Sequence, residues 1–396
     1  MSAIEFERPS FKLEDLWTDR RWRGIGIQVI AIGALFAFLA YIVNNTINNL
    51  HLLGIETGYG FLSEPSNYDI NQHLIEYSSR STHARAALVG ILNTLLIAVT
   101  GVFAATLIGF AAGVLRLSRN WLISRIMYIY VEVTRNVPVL LQILFWHALV
   151  VHSLPRPKQA LEPLPGTFLS NRGFVIPSFE FNEGSWVILA AFVVAIIVAI
   201  AFARHARKVQ DATGKIYPVI SINLAIIVGL PILAHFAAGQ PVGLEWPALK
   251  GFNFRGGLVV TPEFLALWFA LSVYTAAFIA EIVRAGIQAV SHGQTEAAYA
   301  LGLRPNWTMR LIILPQALRV IIPPLISEYL NLTKNSSLAI AVGYMDIVAT
   351  IGGISLNQTG RALESMSIVL SLYLLFSLLI SSVMNWYNKR VALVER

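Results

Sequence analysis

Residues 295–315, TEAAYALGLRPNWTMRLIILP, form a polar-to-amphipathic segment set between long apolar runs, and the rest of the chain reads outward from it. Just ahead of it, Ser291-x-x-Gln294 fits a capping box, in which a hydroxyl and an amide satisfy free N–H groups at a helix start. Ala297, Ala298 and Ala300 are strong helix formers, and Gly302 can take the left-handed backbone that stops a helix. A short helix ending near Leu301 is therefore expected. Arg304-Pro305 then breaks the chain, and Asn306 is placed to cap a second helix whose apolar Trp307, Leu311 and Ile312 lead into the next apolar run. Small alanine side chains permit close approach, so this helix, bend and helix suit the groove of a partner. An amphipathic loop resting on the lipid surface is the plainer alternative.

Composition sets the class around this segment. The chain has 396 residues, of which 56% are hydrophobic and 13% charged, and its mean hydropathy is +0.64. That composition, with long uncharged runs, indicates an all-α polytopic membrane protein. Eight spans are expected, at 24–43, 87–115, 126–151, 186–203, 217–236, 262–287, 318–342 and 366–386. The basic residues ahead of the first, Arg8, Lys12, Arg20, Arg21 and Arg23, resemble the start of a signal peptide. The run ends in YIVNNTINN without a small-residue cleavage site, so an uncleaved anchor is expected, with Arg20-Arg21 as a juxtamembrane cluster. Stretches 44–87, 153–184 and 239–261 carry turn residues and read as loops, and a glycine-rich connection through Gly352-Gly353 joins the last two spans.

Eight spans place both termini on one side of the membrane. With Arg284 and Arg319, at the span ends flanking the 291–315 loop, counted with that loop, the terminal tails and the loops on that side hold 19 of the 29 Lys and Arg residues, the opposite loops hold 8, and Arg135 and Lys334 fall inside spans. The positive-inside rule therefore makes the termini and the 291–315 loop cytoplasmic. The net charge of +7 is explained by this placement, without nucleic acid.

Charge within the membrane is costly and points to what crosses. At 1.5 Å per residue, Arg135 lies roughly 14 Å into the third span, near the middle of a ~30 Å core. It requires a partner or a wet cavity. Glu132, Asn136, Pro138 and Gln142 share that span. The sixth span adds Tyr274, Glu281 and Arg284, the last two at i,i+3 spacing. In the seventh, Pro323-Pro324 are expected to break the helix, and Glu328, Asn331, Lys334, Asn335 and Ser336 follow. Broken helices at this depth are tolerated beside cavities. Holding helices together is the alternative role for these charges.

Four groups of residues carry a family resemblance. Glu296-Ala297-Ala298 is followed after three residues by Gly302, after nine more by Ile312, and then by Leu314-Pro315, a spacing that resembles the EAA loop of ABC-transporter permeases. EVTRNVPVLLQ, YTAAFIAEIVRAGI and NLTKNSSLA are similar to segments of polar-amino-acid ABC permeases. The resemblance covers about 88–150 and 262–390; an extra first span with its loop (1–87) and an insertion at about 152–261 resemble the long permeases of bacterial general L-amino-acid uptake systems. It implies a type I importer-like permease core at 88–396 in a bacterial inner membrane. The implied partners are an ABC ATPase dimer, a second, paralogous permease forming a heterodimer, and a periplasmic amino-acid-binding protein. No cofactor is implied on this chain, ATP and Mg belonging to the ATPase. Glu296, Ala297, Ala298, Gly302, Leu303, Arg304 and Pro305 are implied to dock the ATPase through the coupling loop 291–315. The pathway is implied to be lined by Glu132, Arg135, Asn136, Gln142, Tyr274, Glu281, Arg284, Glu328, Asn331, Lys334, Asn335 and Ser336.

The chemistry of the cargo agrees. An L-amino acid presents a carboxylate and an ammonium, which require a cation and an anion a few ångströms apart. Arg135 or Lys334 supplies the first, and Glu132, Glu281 or Glu328 the second. Other chemistry is excluded: Thr213-Gly214-Lys215-Ile216 lacks most of a phosphate-binding loop, the histidines show no metal-ligand spacing, and no nucleophile has a base partner. Two other classes stay open at this point, a secondary transporter driven by an ion gradient and a membrane scaffold without transport.

Overall fold

The computed structural model describes residues 20–391 except 53, 55 and 56; the tail bearing Arg8 and Lys12, and Arg396, lie outside the described residues. Among the described residues seven helices are long and apolar enough to cross a membrane, or eight if one bent pair counts as a span. Helix α1 (Arg20–Leu52) is followed by α2 (His83–Arg116), α3 (Trp121–Asn136) and α4 (Val139–Ser153). Then come α5 (Trp186–Thr213), α6 (Val219–Ala237), α7 (Pro262–Gln288), the short α8 (His292–Ala300), α9 (Leu314–Asn335) and α10 (Ala362–Val391).

The core forms where α7 lies against α2, α4 and α9. Leu267, Leu271, Ile279 and Val283 of α7 are buried against Ile97 and Ala105 of α2, Ile143 of α4, and Ile321 and Leu332 of α9. Close approach depends on small residues, as it does wherever lipid removes the hydrophobic drive between helices. A Cβ added at Gly109 would lie 2.6 Å from Ile279, and one at Gly113 2.7 Å from the Ala280 carbonyl oxygen. Gly101, Ala105, Gly109 and Gly113 recur every fourth residue, so one face of α2 is a trough that receives α7.

Three expectations change. The third span is not one helix: α3 and α4 meet at 107°. Val137 is extended, as a residue before proline prefers, and Pro138 caps α4. The depth ruler therefore stops at Asn136, and Arg135 occupies the last turn of α3. Conversely, Pro323-Pro324 do not break α9, which continues to Asn335 and then tightens into a 3-10 segment, Ser336–Val342, closed by Gly343 at φ 80°. The glycine-rich connection is not a loose loop: Val348–Ser355 coils into a wide π turn with Ala349, Thr350, Ile351 and Ser355 buried.

The loops are more ordered than turn residues alone suggest. Segments 153–184 and 239–261 pair with each other. Strands β1 (Phe168–Ser170), β2 (Gly173–Ile176) and β7 (Leu258–Val260) make one sheet; β3 (Ser178–Phe181) with β4 (Val242–Glu245), and β5 (Ala248–Lys250) with β6 (Asn253–Arg255), make two ribbons. The membrane part remains all-helical. Loop 57–82 closes over the core: Phe61 is buried, the Tyr68 hydroxyl and His83 Nδ1 both meet Ser355 Oγ, at 3.1 and 2.8 Å, and Asn93 Nδ2 donates to the Gln72 carbonyl at 2.8 Å.

Candidate functional site

Helix α3 carries three kinds of face. Met127, Tyr130 and Val131 pack inward against Ala112, Ala277 and Ala280, and the Tyr130 hydroxyl donates to the Val273 carbonyl at 2.7 Å. Leu122, Ile126, Ile129 and Val133 form an exposed apolar face. Between them, at helical spacing, run Trp121, Arg125, Tyr128, Glu132 and Arg135. On α7, Tyr274, Phe278, Glu281, Arg284 and Gln288 repeat at the same spacing. The two stripes meet: the Arg135 guanidinium sits over the Phe278 ring, 5.1 Å from its centroid, and Trp121, Arg125 and Tyr128 share a cavity of about 360 Å³ with Arg284 and Gln288.

The charges in this crevice alternate along its length. At the end nearest α8, Arg116, Arg125 and Arg284 line the cavity without a carboxylate in its wall. Arg116 and Arg125 both lie over the Tyr128 ring, at 5.1 and 5.2 Å from its centroid. Next comes Glu281, ion-paired to both Arg116 and Arg284, with Glu132 3.8 Å from Arg116. Beyond them lies Arg135, and then Glu328 of α9, close enough to feel its charge. Tyr274 stands within electrostatic reach of both. From Arg125 to Arg135 the helical rise is about 15 Å, so the crevice offers cations and anions in turn along that length.

Other expected pathway residues have different surroundings. Gln142 is buried, and its amide donates to the carbonyls of Thr134 and Val137 at 2.8 and 2.9 Å. It thereby satisfies groups freed where α3 ends. Asn136 donates to the Glu132 carbonyl at 2.7 Å, and buried Ser336 to the Thr333 carbonyl at 2.7 Å. Asn331 and Lys334 are exposed and Asn335 half-buried along α9; among the described residues Lys334 forms no ion pair within 4.0 Å.

The 291–315 segment folds as a helix, a stop and a return. Ser291 accepts from the Gly293 N–H at 3.3 Å, but Gln294 does not complete the capping box: its Oε1 accepts from Gln316 Nε2 at 3.2 Å, tying α8 to α9. Gly302 has φ 75°. Its N–H donates to the Tyr299 carbonyl at 2.9 Å and that of Leu303 to Ala298 at 3.1 Å, a Schellman closure. Arg304, not Asn306, occupies the cap of the following turn, Pro305–Thr308. Glu296, Ala297, Gly302, Arg304 and Pro305 are exposed, Leu303 is half-buried, and Ala298 is turned inward at 1% exposure. Leu301 is 81% exposed at the tip.

Sequence reading missed Arg116, Arg125, Tyr128 and Phe278 as crevice residues. For Arg125 and Tyr128 the signal was available in the i,i+4 and i,i+3 continuation of Glu132 and Arg135 toward the start of α3, and for Phe278 in its i,i+3 spacing from Glu281 on α7; Arg116, at the end of α2, carried none. It also missed Asp346, fully buried between spans. Its Oδ1 accepts from the Ala349 N–H at 2.8 Å, and its Oδ2 from the Tyr373 hydroxyl at 3.2 Å.

Comparison with known proteins places these features in a family. The profile described as "Binding-protein-dependent transport system inner membrane component" matches residues 215–393. The chain is 50% identical to the General L-amino acid transport system permease protein AapQ of Rhizobium johnstonii, over 96% of this chain and 94% of that protein. It is 47% identical to the Putative amino-acid ABC transporter permease protein YhdX of Escherichia coli K12, over 96% of each. The Glutamate/glutamine/aspartate/asparagine transport system permease protein BztB of Rhodobacter capsulatus is 46% identical, over 100% of this chain and 99% of that one. Among solved structures, an amino acid ABC transporter with histidines aligns over 78% of this chain and 95% of its own, at 20% identity and a TM-score of 0.46.

Proposed function

Because the chain belongs to the family of binding-protein-dependent transport system inner membrane components, we propose that its charged crevice is one wall of an amino-acid pathway worked from the 291–315 loop. It is the multi-pass permease subunit of an ABC importer in a bacterial inner membrane. It catalyses no reaction and binds no cofactor; hydrolysis belongs to a separate ATPase, and a binding protein delivers cargo. The cargo is an L-amino acid, as the names of the relatives suggest.

The carrying observation is the alternation of charge between α3 and α7. A zwitterion moving along this crevice finds a guanidinium for its carboxylate and a carboxylate for its ammonium at successive depths. A second permease, which we take to be a paralogue, closes the other side. Arg135, Glu281, Glu132, Tyr274 and Glu328 line this half; Gln142 and Ser336 shape it through the backbone. The exposed Glu296, Ala297, Gly302, Arg304 and Pro305 meet the ATPase, while Ala298 and Leu303 hold the bend from within. The excess of Lys and Arg on the α8 side supports a cytoplasmic position for this loop and for both termini.

The test is a pull-down of the tagged protein in detergent, with the ATPase activity of whatever copurifies measured with and without amino acids and periplasmic extract. Copurification of an ATPase and a second permease, with hydrolysis stimulated by amino acid plus binding protein, is expected. A single species that moves amino acids in proteoliposomes on an ion gradient alone would overturn the reading.

A further inference from the structure

The β3–β4 ribbon is built with two chemically opposite faces. Successive residues of a strand point to opposite sides, and directly paired residues share a side. The register pairs Phe179 with Leu244 and Phe181 with Val242. One face of the ribbon is therefore wholly apolar. The other carries Ser178 beside Glu245 and Glu180 beside Gly243, and the Ser178 hydroxyl donates to Glu245 Oε2 at 3.3 Å. On the apolar face Phe179 is 66% exposed, Phe181 72% and Leu244 51%. Two adjacent bare phenyl rings are a costly surface to leave in water.

Chain connectivity fixes where this face lies. Phe181 precedes the start of α5 at Trp186 by a short turn, and α6 ends at Ala237, the same distance before Val242. The Asn182 N–H donates to the Pro241 carbonyl at 2.9 Å, extending the ladder one step toward the helices. The ribbon is thus clamped on the open end of the α5–α6 hairpin, two membrane helices whose apolar windows are 11% and 0% buried within the chain. Lipid is continuous with that surface. Four residues span about 13 Å, whereas each interfacial layer is roughly 5–8 Å thick. Upright, the ribbon would carry the Phe179–Leu244 pair out of that layer; flat, it holds both rings at one depth. Trp186 in the first turn of α5 and Trp246 just past β4 are also exposed, at 69% and 56%, and tryptophan collects at membrane interfaces.

We infer that the β3–β4 ribbon lies flat on the membrane, its Phe179–Phe181–Leu244 face in the lipid headgroup layer on the side opposite α8 and its Glu180 and Glu245 face in water. The partner is a lipid surface. The ribbon fixes the depth of the α5–α6 hairpin, which otherwise packs mainly on itself.

The absence of cysteine from the chain makes the test direct. Phe179→Cys, Glu180→Cys, Phe181→Cys, Leu244→Cys and Glu245→Cys are each made in the full chain, spin-labelled, and reconstituted in vesicles of phosphatidylethanolamine and phosphatidylglycerol. Collision with oxygen, which partitions into lipid, is compared with collision with a water-soluble nickel chelate. The expected pattern alternates. Labels at 179, 181 and 244 favour oxygen several-fold over those at 180 and 245. Each position reports the phase independently, so loss of one variant leaves the pattern readable. Nickel access at all five would show a ribbon standing clear of the bilayer, and exclusion of both probes at 179, 181 and 244 would show a protein cover; either result overturns the inference.

Discussion

Arg135 concentrates the functional argument in one side chain. Its guanidinium rests on Phe278 with Glu281 and Glu328 within reach of its charge. Arg135→Gln should cut amino-acid uptake at least about tenfold, a loss of roughly 1.4 kcal/mol or more of pathway stabilisation. Membrane levels should not fall, because an Arg in a span costs about 2.5–3.5 kcal/mol on insertion scales. Arg135→Lys keeps the charge but not the planar stacking group, and should recover part of the uptake. Unchanged uptake by the Gln variant would remove Arg135 from the pathway. Asp346 makes the opposite case, since its carboxylate is consumed by the Ala349 N–H and the Tyr373 hydroxyl. Asp346→Ala leaves both donors bare and should cost about 1–3 kcal/mol, read as a lower unfolding temperature of the purified protein; Asp346→Asn, which keeps one acceptor, should cost less. An equal loss in both variants would mean that the charge, not the acceptor, is what the fold uses. Arg135 was legible because it interrupts an apolar run. Asp346 was not, since it lies in a glycine-rich stretch without periodicity, and its burial is set by α2 and α10 from far away in sequence.

At the scale of elements, hydropathy reported which segments lie in the membrane but not their direction. Two halves of 16 and 15 residues read as one plausible span, so the bend between α3 and α4 escaped detection. Pro138 ends a helix while Pro323-Pro324 do not, so proline alone decides neither. At Pro138 the amide of Gln142 replaces the lost backbone donors, and that compensation depends on a side chain four residues away. The α2–α7 contact is a sharper consequence of sequence. Gly109→Val places a branched side chain where even a Cβ would lie 2.6 Å from Ile279, and overpacking of this kind costs typically 1–3 kcal/mol. Gly33→Val on α1, with nothing within 4 Å of the added Cβ, is the matched control and should not destabilise. Comparable melting temperatures for the two variants would refute tight α2–α7 packing. In the 291–315 loop, Gly302 has open space around its Cβ position but a φ of 75°, so Gly302→Asp adds a charge to the proposed docking surface without a steric clash while straining the left-handed turn that ends α8. The variant should insert normally yet uncouple ATP hydrolysis from uptake; normal transport would count heavily against the dock.

The whole molecule reads as a core with a detachable insertion. The core surrounds α7, whereas α5 and α6 bury Ala195, Ala199 and Ala206 in a hairpin of their own. The two ends of the inserted stretch are brought together by strand pairing, with Val175 opposite Val259 and Ile176 opposite Leu258 in an antiparallel register. That geometry permits a specific excision. Residues 177–257 can be replaced by Asn-Gly, which favours the two-residue turn that closes an antiparallel pair, turning β2 and β7 into a hairpin. The shortened chain should insert, keep the thermal stability of the core to within a few degrees, and still copurify with the ATPase, because among the described residues no ion pair joins the α3–α7 crevice or α8 to the removed strands. Aggregation of the excised protein, or loss of the ATPase with the fold intact, would show instead that the α5–α6 hairpin is part of the permease core. If the core survives but uptake is lost, the hairpin is needed for assembly with the second permease or the binding protein, a role that its lipid-exposed length and its ribbon on the face opposite α8 leave it free to play.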